Sequence, residues 1–412
     1  MKRWRVTAHF SWLALTPLAL GSAAFAAISF AAAPARLLIL NLADLNESKK
    51  RLDANEAALL PAFNRLKRDA DHALGAGPFA VTHKDLMAPS GDKHDYLSIA
   101  PYWWPNPNTK NRLPYVRRDG EVNPERDQTS DRKRFADLVQ SVKTLALGYF
   151  FTAREDYAGH GAMLLRAWFI DDATKMNPHL RYAQAVPGQT QGRGAGIIET
   201  HNLPELLDAV GLLNGSSAWK QAEQTALQQW FGKFLAWLLE SAEGKAEAKA
   251  QNNHGTWYDV QVAAFALFAG RDDLAKQILG EFPAKRIVKQ IEPDGRQPLE
   301  LQRTQSWNYS IFNLEAFASA ASIGEKLGVD LGGFVAPDKR SIRAALDWLA
   351  PFASGEIKWR DKQITPFEPE KLAPLLRQAA LRWREPAYQQ LLSKVPKLTG
   401  DERWQLLYPK SK

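Results

Sequence analysis

A chain of 412 residues, 45% hydrophobic and 24% charged, can bury a substantial core in one large domain or two ordinary ones, and this composition excludes a disordered chain. The formal charge of +8 is a mild surplus. With no dense Lys/Arg run interleaved with aromatics, nucleic acid is a poor candidate partner, and with no cysteine the fold must stand on core packing alone.

The first 26 residues read MKRWRVTAHFSWLALTPLALGSAAFA: a basic start (Lys2, Arg3, Arg5), an apolar middle and an Ala24-Phe25-Ala26 ending. That pattern predicts a secretory signal peptide over 1–26, removed to leave a charge of +5, and a bacterial periplasmic or secreted protein. Pro17 and the many alanines argue against a membrane anchor, and no later stretch is apolar enough to span a bilayer.

Apolar residues at three- and four-residue steps then predict helices over Glu47–Leu74, Asp131–Arg154, Tyr157–Phe169, Ala218–Ser241, Tyr258–Phe268, Asn308–Leu327, Ile342–Leu349 and Glu370–Trp383. Strand signals are scarce. Successive helix pairs predict an all-α chain curved into an incomplete (α/α) toroid of helical hairpins, and without a linker of biased composition residues 27–412 read as a single domain. Two loops, Met87–Asp127 and Asn177–Gly196, are long for mere connectors and are expected to carry function.

The first loop contains DYLSIAPYWWPNP. Tyr102, Trp103 and Trp104 offer flat faces on which sugar rings stack, or a hydrophobic plug sealing the toroid. Next, LPYVRRDGEVNPE sets Arg117 and Arg118 beside Asp119, residues suited to a uronate carboxylate but more simply to a surface ion pair. In the second loop Asn177, His179, Arg181, Tyr182, Gln184 and Arg193 form a polar cluster from which Asn177 and Arg193 are taken as substrate contacts.

Two further motifs carry the chemistry. In QNNHGTWYDVQ, Thr256 can cap a helix and Asp259 favours its N-terminus, which places Asn253 and His254 just before it; Tyr258 is read as another substrate contact. In ELQRTQSWNYSIFNL, Ser306 can cap, Arg303 falls in the preceding loop and Tyr309 in the first helical turn. Both motifs bring polar groups to positive helix ends, where an anion is tolerated. Eight histidines without HExxH or comparable spacing call for no metal, and no cofactor is implied.

APYWWPNP, LPYVRRDGE, MNPHLRYAQAVPG, GRGAGII, NNHGTWYDVQ and ELQRTQSWNYSIFNL together resemble the alginate lyase domain family of polysaccharide lyases, from about Asp95 to about Leu331. The resemblance implies a helical toroid, export, and β-elimination on an anionic uronate polymer without an obligatory metal. It also implies catalytic roles for Asn253, His254, Arg303 and Tyr309, which match the family's Asn-His pair, arginine and tyrosine. The run after the Asn-His pair and the Arg-to-Tyr spacing differ from those of the best-known alginate lyases of this fold, as in a sister branch.

Elimination must remove the C5 proton next to a carboxylate, so neutralising that carboxylate comes first; amide, imidazole and guanidinium suit this work. Tyr309 would then act as base, its phenol made more acidic by Arg303. The rival readings are a toroidal glycoside hydrolase using two of Glu199, Asp259, Asp294 and Glu300, and a non-catalytic polysaccharide-binding protein.

Overall fold

The structure, a computed structural model, describes residues 37–410; the expected signal peptide lies outside the described residues. Helices dominate. The first pair is α1 (Leu42–Asp53) and α2 (Leu60–Ala73), where the periodicity predicted one continuous helix; Asn55 at φ 56° breaks it, a left-handed conformation that asparagine tolerates. There follow α3 (Ser130–Thr152), α4 (Glu155–Leu165), α5 (Leu203–Leu212), α6 (Gln221–Glu240), α7 (Ala242–Ala248), α8 (Asn253–Phe268) and α9 (Asp272–Phe282). Two short turns, α10 (Val288–Gln290) and α11 (Pro298–Leu301), lead to α12 (Ser306–Leu327), α13 (Ile342–Ala353), α14 (Ala373–Arg382), α15 (Pro386–Lys394) and α16 (Trp404–Leu407).

Neighbouring helices pack in turn round an (α/α) toroid: α3 lies against α2, α4 and α5, α8 against α5, α6, α9 and α12, and α12 against α13. The last helix, α16, returns to α1 and α2, where Arg403 bonds Thr144 (2.9 Å) and Asp69 (3.2 Å). At the start of the described chain, Asp208 on α5 accepts the backbone amides of Leu38, Ile39 and Leu40. Helix α8 is the hub. From Gly255 to Phe268 every residue is buried, as expected of a helix enclosed by others.

The two long loops supply the strands found among the described residues. β1 (Leu97–Ile99) pairs in parallel with β4 (Tyr182–Ala185), tying one loop to the other. β2 (Trp103–Trp104) pairs antiparallel with β3 (Val116–Arg117), folding the Trp-rich loop back on itself.

The start of α12 is held from a distance. Ser306 is its first residue rather than its cap, and its N–H and Oγ both donate to the Lys362 carbonyl (3.0 and 2.7 Å), while the Trp307 N–H donates to Gln363 Oε1 (3.1 Å). Gln363 therefore does the work of a capping side chain. Gln363→Ala is expected to cost about 1 kcal/mol of stability, read as a lower denaturation midpoint at unchanged slope.

Candidate active site

Asn253 and His254 stand in the first turn of α8, one turn deeper than the sequence predicts. Thr256 is not a cap, since its Oγ1 donates to Gln290 Oε1 (2.9 Å). Nor does Asp259 serve the helix end: fully buried, it binds Arg286 Nε (2.7 Å) and Lys285 Nζ (2.8 Å). Arg286, 1% exposed, also donates to the carbonyls of Ala248 (2.9 Å) and Ala250 (2.5 Å), locking the turn before α8 onto the helix body. It passes so close to Gly255 that a Cβ there would lie 2.2 Å from its guanidinium, which explains the glycine after Asn-His.

Buried carboxylates orient both motif residues. Asn253 donates through its backbone N–H and its Nδ2 to the two oxygens of Glu300, each at 2.7 Å. His254, about a quarter exposed, places Nδ1 2.6 Å from Glu247 Oε1. That carboxylate is an acceptor, so Nδ1 carries the proton and Nε2 has no hydrogen-bond partner among the described residues. Burial raises the Glu300 pKa above its ordinary value, opposed by the Asn253 hydrogen bonds and by the charges of Arg303 and His254. Glu300, the first residue of the second motif, thus ties it to the first through Asn253.

Arg303 grips Asp119 with Nε and Nη2 (3.1 and 2.8 Å), and its guanidinium lies 3.6 Å from the Tyr309 ring centroid. Tyr309 Oη donates to Tyr102 Oη at 2.7 Å. Burial and the Tyr102 phenol push Tyr309 well above the ordinary tyrosine value, and Arg303 pulls the other way without prevailing. The expectation of an acidified phenol is therefore corrected. The reason is physical: the Arg303 charge is shared with Asp119, while desolvation acts on Tyr309 in full.

For Asp119, burial opposes ionisation but the Arg303 hydrogen bond and charge and the Thr304 N–H outweigh it, holding the carboxyl at about 2 against an ordinary 3.8. A depressed folded-state value gives stability that is complete above pH 3.8 and lost as pH falls through about 2. Asp119→Asn is accordingly expected to flatten the pH–stability curve in that window, measured by denaturant unfolding at a series of acid pH values.

The remaining expected contacts divide. Tyr102 meets Tyr309, and Trp103 lies 5.8 Å below the Arg193 guanidinium. Trp104 instead packs under Arg118 (5.0 Å) and donates Nε1 to the Glu121 carbonyl (3.0 Å), while Arg117 pairs with Asp119 (2.7 Å). Asn177 braces its loop, donating to Asp92 (2.9 Å) and Asp95 (2.7 Å). Tyr258 belongs to the core: 4% exposed, it donates its hydroxyl to the Leu238 carbonyl (2.7 Å), because the buried face of α8 carries it away from the rim. Sequence reasoning missed Glu247, the orienting role of Glu300, and Asp119 as the partner of Arg303; each lies in a quoted motif or one turn before it, but nothing local shows what it faces.

The hydrolase candidates are all engaged elsewhere. Asp259 and Glu300 are paired as described, Asp294 is exposed beside Arg296 (2.8 Å), and Glu199 accepts from Tyr96 (2.8 Å) and Ser98 (2.7 Å).

Helical hairpins closed into a toroid, with amide, imidazole, guanidinium and phenol at the starts of two packed helices, define a polysaccharide lyase of the helical-toroid class. Residues 80–359 match the family model for alginate lyase, and the chain belongs to that family. The crystal structure of an alginate lyase from Bacteroides ovatus is 39% identical over 92% of this chain and 100% of that one, with a TM-score of 0.88. Alginate lyase A1-III from Sphingomonas species A1 has the same fold at 14% identity, over 85% of this chain and 96% of that one (TM-score 0.53). A histidine-to-alanine variant of A1-III complexed with a tetrasaccharide aligns equally well, at 14% identity, a TM-score of 0.53 and the same 85% and 96% coverage. Among curated proteins no sequence match is found.

Proposed function

We propose that this chain is exported and cleaves a 4-linked uronate polymer, mannuronate-rich alginate or glucuronan, by β-elimination. One observation carries the reading: each of the three groups able to neutralise a substrate carboxylate is fixed by a carboxylate of its own, Asn253 by Glu300 (2.7 Å), His254 by Glu247 (2.6 Å) and Arg303 by Asp119 (2.8 Å). Neutralisation lets charge develop at C5 as an enolate, as donors in an oxyanion hole do. Tyr309, once its phenol proton has left to solvent by way of the Tyr102 hydroxyl, takes the C5 proton as phenolate and passes it to the leaving O4, which regenerates the phenolate. Burial and the Tyr102 phenol oppose that loss of a proton, and the Arg303 guanidinium, 3.6 Å from the ring centroid, favours it.

Stereochemistry supports the substrate class. In β-D-mannuronate and β-D-glucuronate the C5 proton and O4 lie on one side, within reach of one phenol. In α-L-guluronate they lie on opposite faces and two groups are needed. The His254–Glu247 pair, with Nε2 free, and the fully protonated Tyr309 favour a second assignment for such a substrate, His254 as base and Tyr309 as acid.

The test is to incubate the protein with mannuronate-rich, guluronate-rich and glucuronate polymers and follow ultraviolet absorbance. Unsaturated ends from the D-configured polymers are expected. New reducing ends without absorbance would replace the reading with hydrolysis; unchanged chain length would leave a binding protein; preference for guluronate would select the second assignment.

A further inference from the structure

Arg193 is a half-buried cation with no carboxylate in ion-pair reach among the described residues, and its Nε is buried without a hydrogen-bond partner. Its one side-chain bond runs from Nη2 to Gln184 Oε1 (2.6 Å). Burial pushes the guanidinium below its ordinary value, nearby Arg117 adds to this, and Glu247 and Glu199 pull it back only in part. Leaving a buried charge in that state is costly unless a ligand completes it.

The surrounding chain is built to hold this one side chain in place. Gly192 and Gly194 flank it where no Cβ fits: the first would lie 1.9 Å from the Arg181 carbonyl oxygen, the second 2.6 Å from that of Glu243. The Arg193 N–H donates to the Ala183 carbonyl (3.1 Å). Gln184, buried and at φ 51°, occupies a left-handed conformation that costs a non-glycine residue on the order of 1 kcal/mol or more. Its N–H donates to Ser98 Oγ (2.7 Å), which donates in turn to buried Glu199 (2.7 Å), a carboxylate with no part in the elimination. The chain Glu199–Ser98–Gln184–Arg193 thus aims the guanidinium over the Trp103 ring, next in sequence to Tyr102, which bonds Tyr309.

Arg193 and Tyr309 therefore meet consecutive residues of one loop. The scissile uronate needs Asn253, His254 and Arg303; a second, separate cation beside an aromatic face matches the carboxylate and ring of the next sugar. We propose that Arg193 and Trp103 form a carboxylate-reading subsite for the uronate adjoining the cleaved one, with Gln184 as the residue that positions Arg193. The enzyme would then require two consecutive uronates, not one uronate between neutral sugars. This rests on the uronate reading above.

The test uses the full chain carrying Tyr309→Phe, so that binding is read without turnover, with tetrasaccharides of mannuronate, guluronate and glucuronate titrated calorimetrically. Adding Arg193→Met is expected to weaken binding of the preferred tetrasaccharide about ten- to a hundredfold, the value of a hydrogen-bonded charge. Gln184→Gly keeps the left-handed backbone without strain and removes the Oε1 contact together with the side chain's hydrogen bond to Glu199, and it is expected to weaken binding in the same direction, while Gln184→Glu, which neutralises Arg193, does so more strongly. In the otherwise wild-type enzyme Arg193→Met should raise KM with kcat little changed. Unchanged affinity in Arg193→Met and Gln184→Glu overturns this subsite alone; absence of binding to any uronate tetrasaccharide by the parent overturns the uronate reading itself.

Discussion

Tyr309→Phe is expected to lower kcat by about 10²- to 10⁴-fold, the range for loss of a proton-transferring side chain, while leaving polymer binding and the fold intact. The substitution removes one oxygen. The ring remains beneath the Arg303 guanidinium at 3.6 Å, so the cation–π contact and the packing of the first turn of α12 survive. What is lost is the hydroxyl bonded to Tyr102 at 2.7 Å, and with it the proton carrier of the proposed elimination. Initial rates from ultraviolet absorbance, paired with a binding isotherm and a melting curve, separate the effects. Near-normal turnover would sink the assignment of Tyr309, whereas a loss of both binding and cooperative unfolding would reveal a structural role.

Asp259→Ala is expected to have the largest effect on stability. Asp259 is fully buried, and its partner Arg286 is 1% exposed. Removing the carboxylate leaves a buried guanidinium uncompensated, which costs about 3–5 kcal/mol. The damage reaches the site, because Arg286 also ties the Ala248 and Ala250 carbonyls to α8 immediately before Asn253 and His254. Denaturant unfolding should show a much lower midpoint at unchanged slope, with activity falling further than the folded fraction. Replacing both partners by apolar side chains of similar volume is expected to recover most of the stability, since the pair as a whole contributes little net energy. A loss below about 1 kcal/mol in Asp259→Ala would show that Arg286 finds adequate partners without it.

The helices were largely legible because an apolar stripe at helical spacing is a local property, recorded in the residues that form it. The exceptions are instructive. α5 carries Leu203, Leu206, Leu207 and Val210 at helical spacing but is only ten residues long, and the break between α1 and α2 rests on the left-handed backbone of Asn55 together with Pro61 in the first turn of α2. The long loops were rightly singled out for length. Their pairing, β1 with β4, joins segments some eighty residues apart and leaves no mark on either.

The residue types at the site were equally local: NNHG and RTQSWNY supply amide, imidazole, guanidinium and phenol wherever the chain folds. Their state was not. Arg303 meets Asp119 across 184 positions and Tyr309 meets Tyr102 across 207, so neither the sharing of the guanidinium charge nor the phenol–phenol hydrogen bond can be read along the chain. Tyr258 and Tyr309 look alike as tyrosines in first or second helical turns, yet one faces the core and the other the rim of the site. The amino-acid sequence by itself determined where helices form, which chemical groups are available and the family to which the chain belongs, because these follow from residue type and spacing. The tertiary structure alone decided which carboxylate orients which donor and that Tyr309 is less acidic rather than more, because burial and Coulomb interactions depend on distances that only the closed toroid sets.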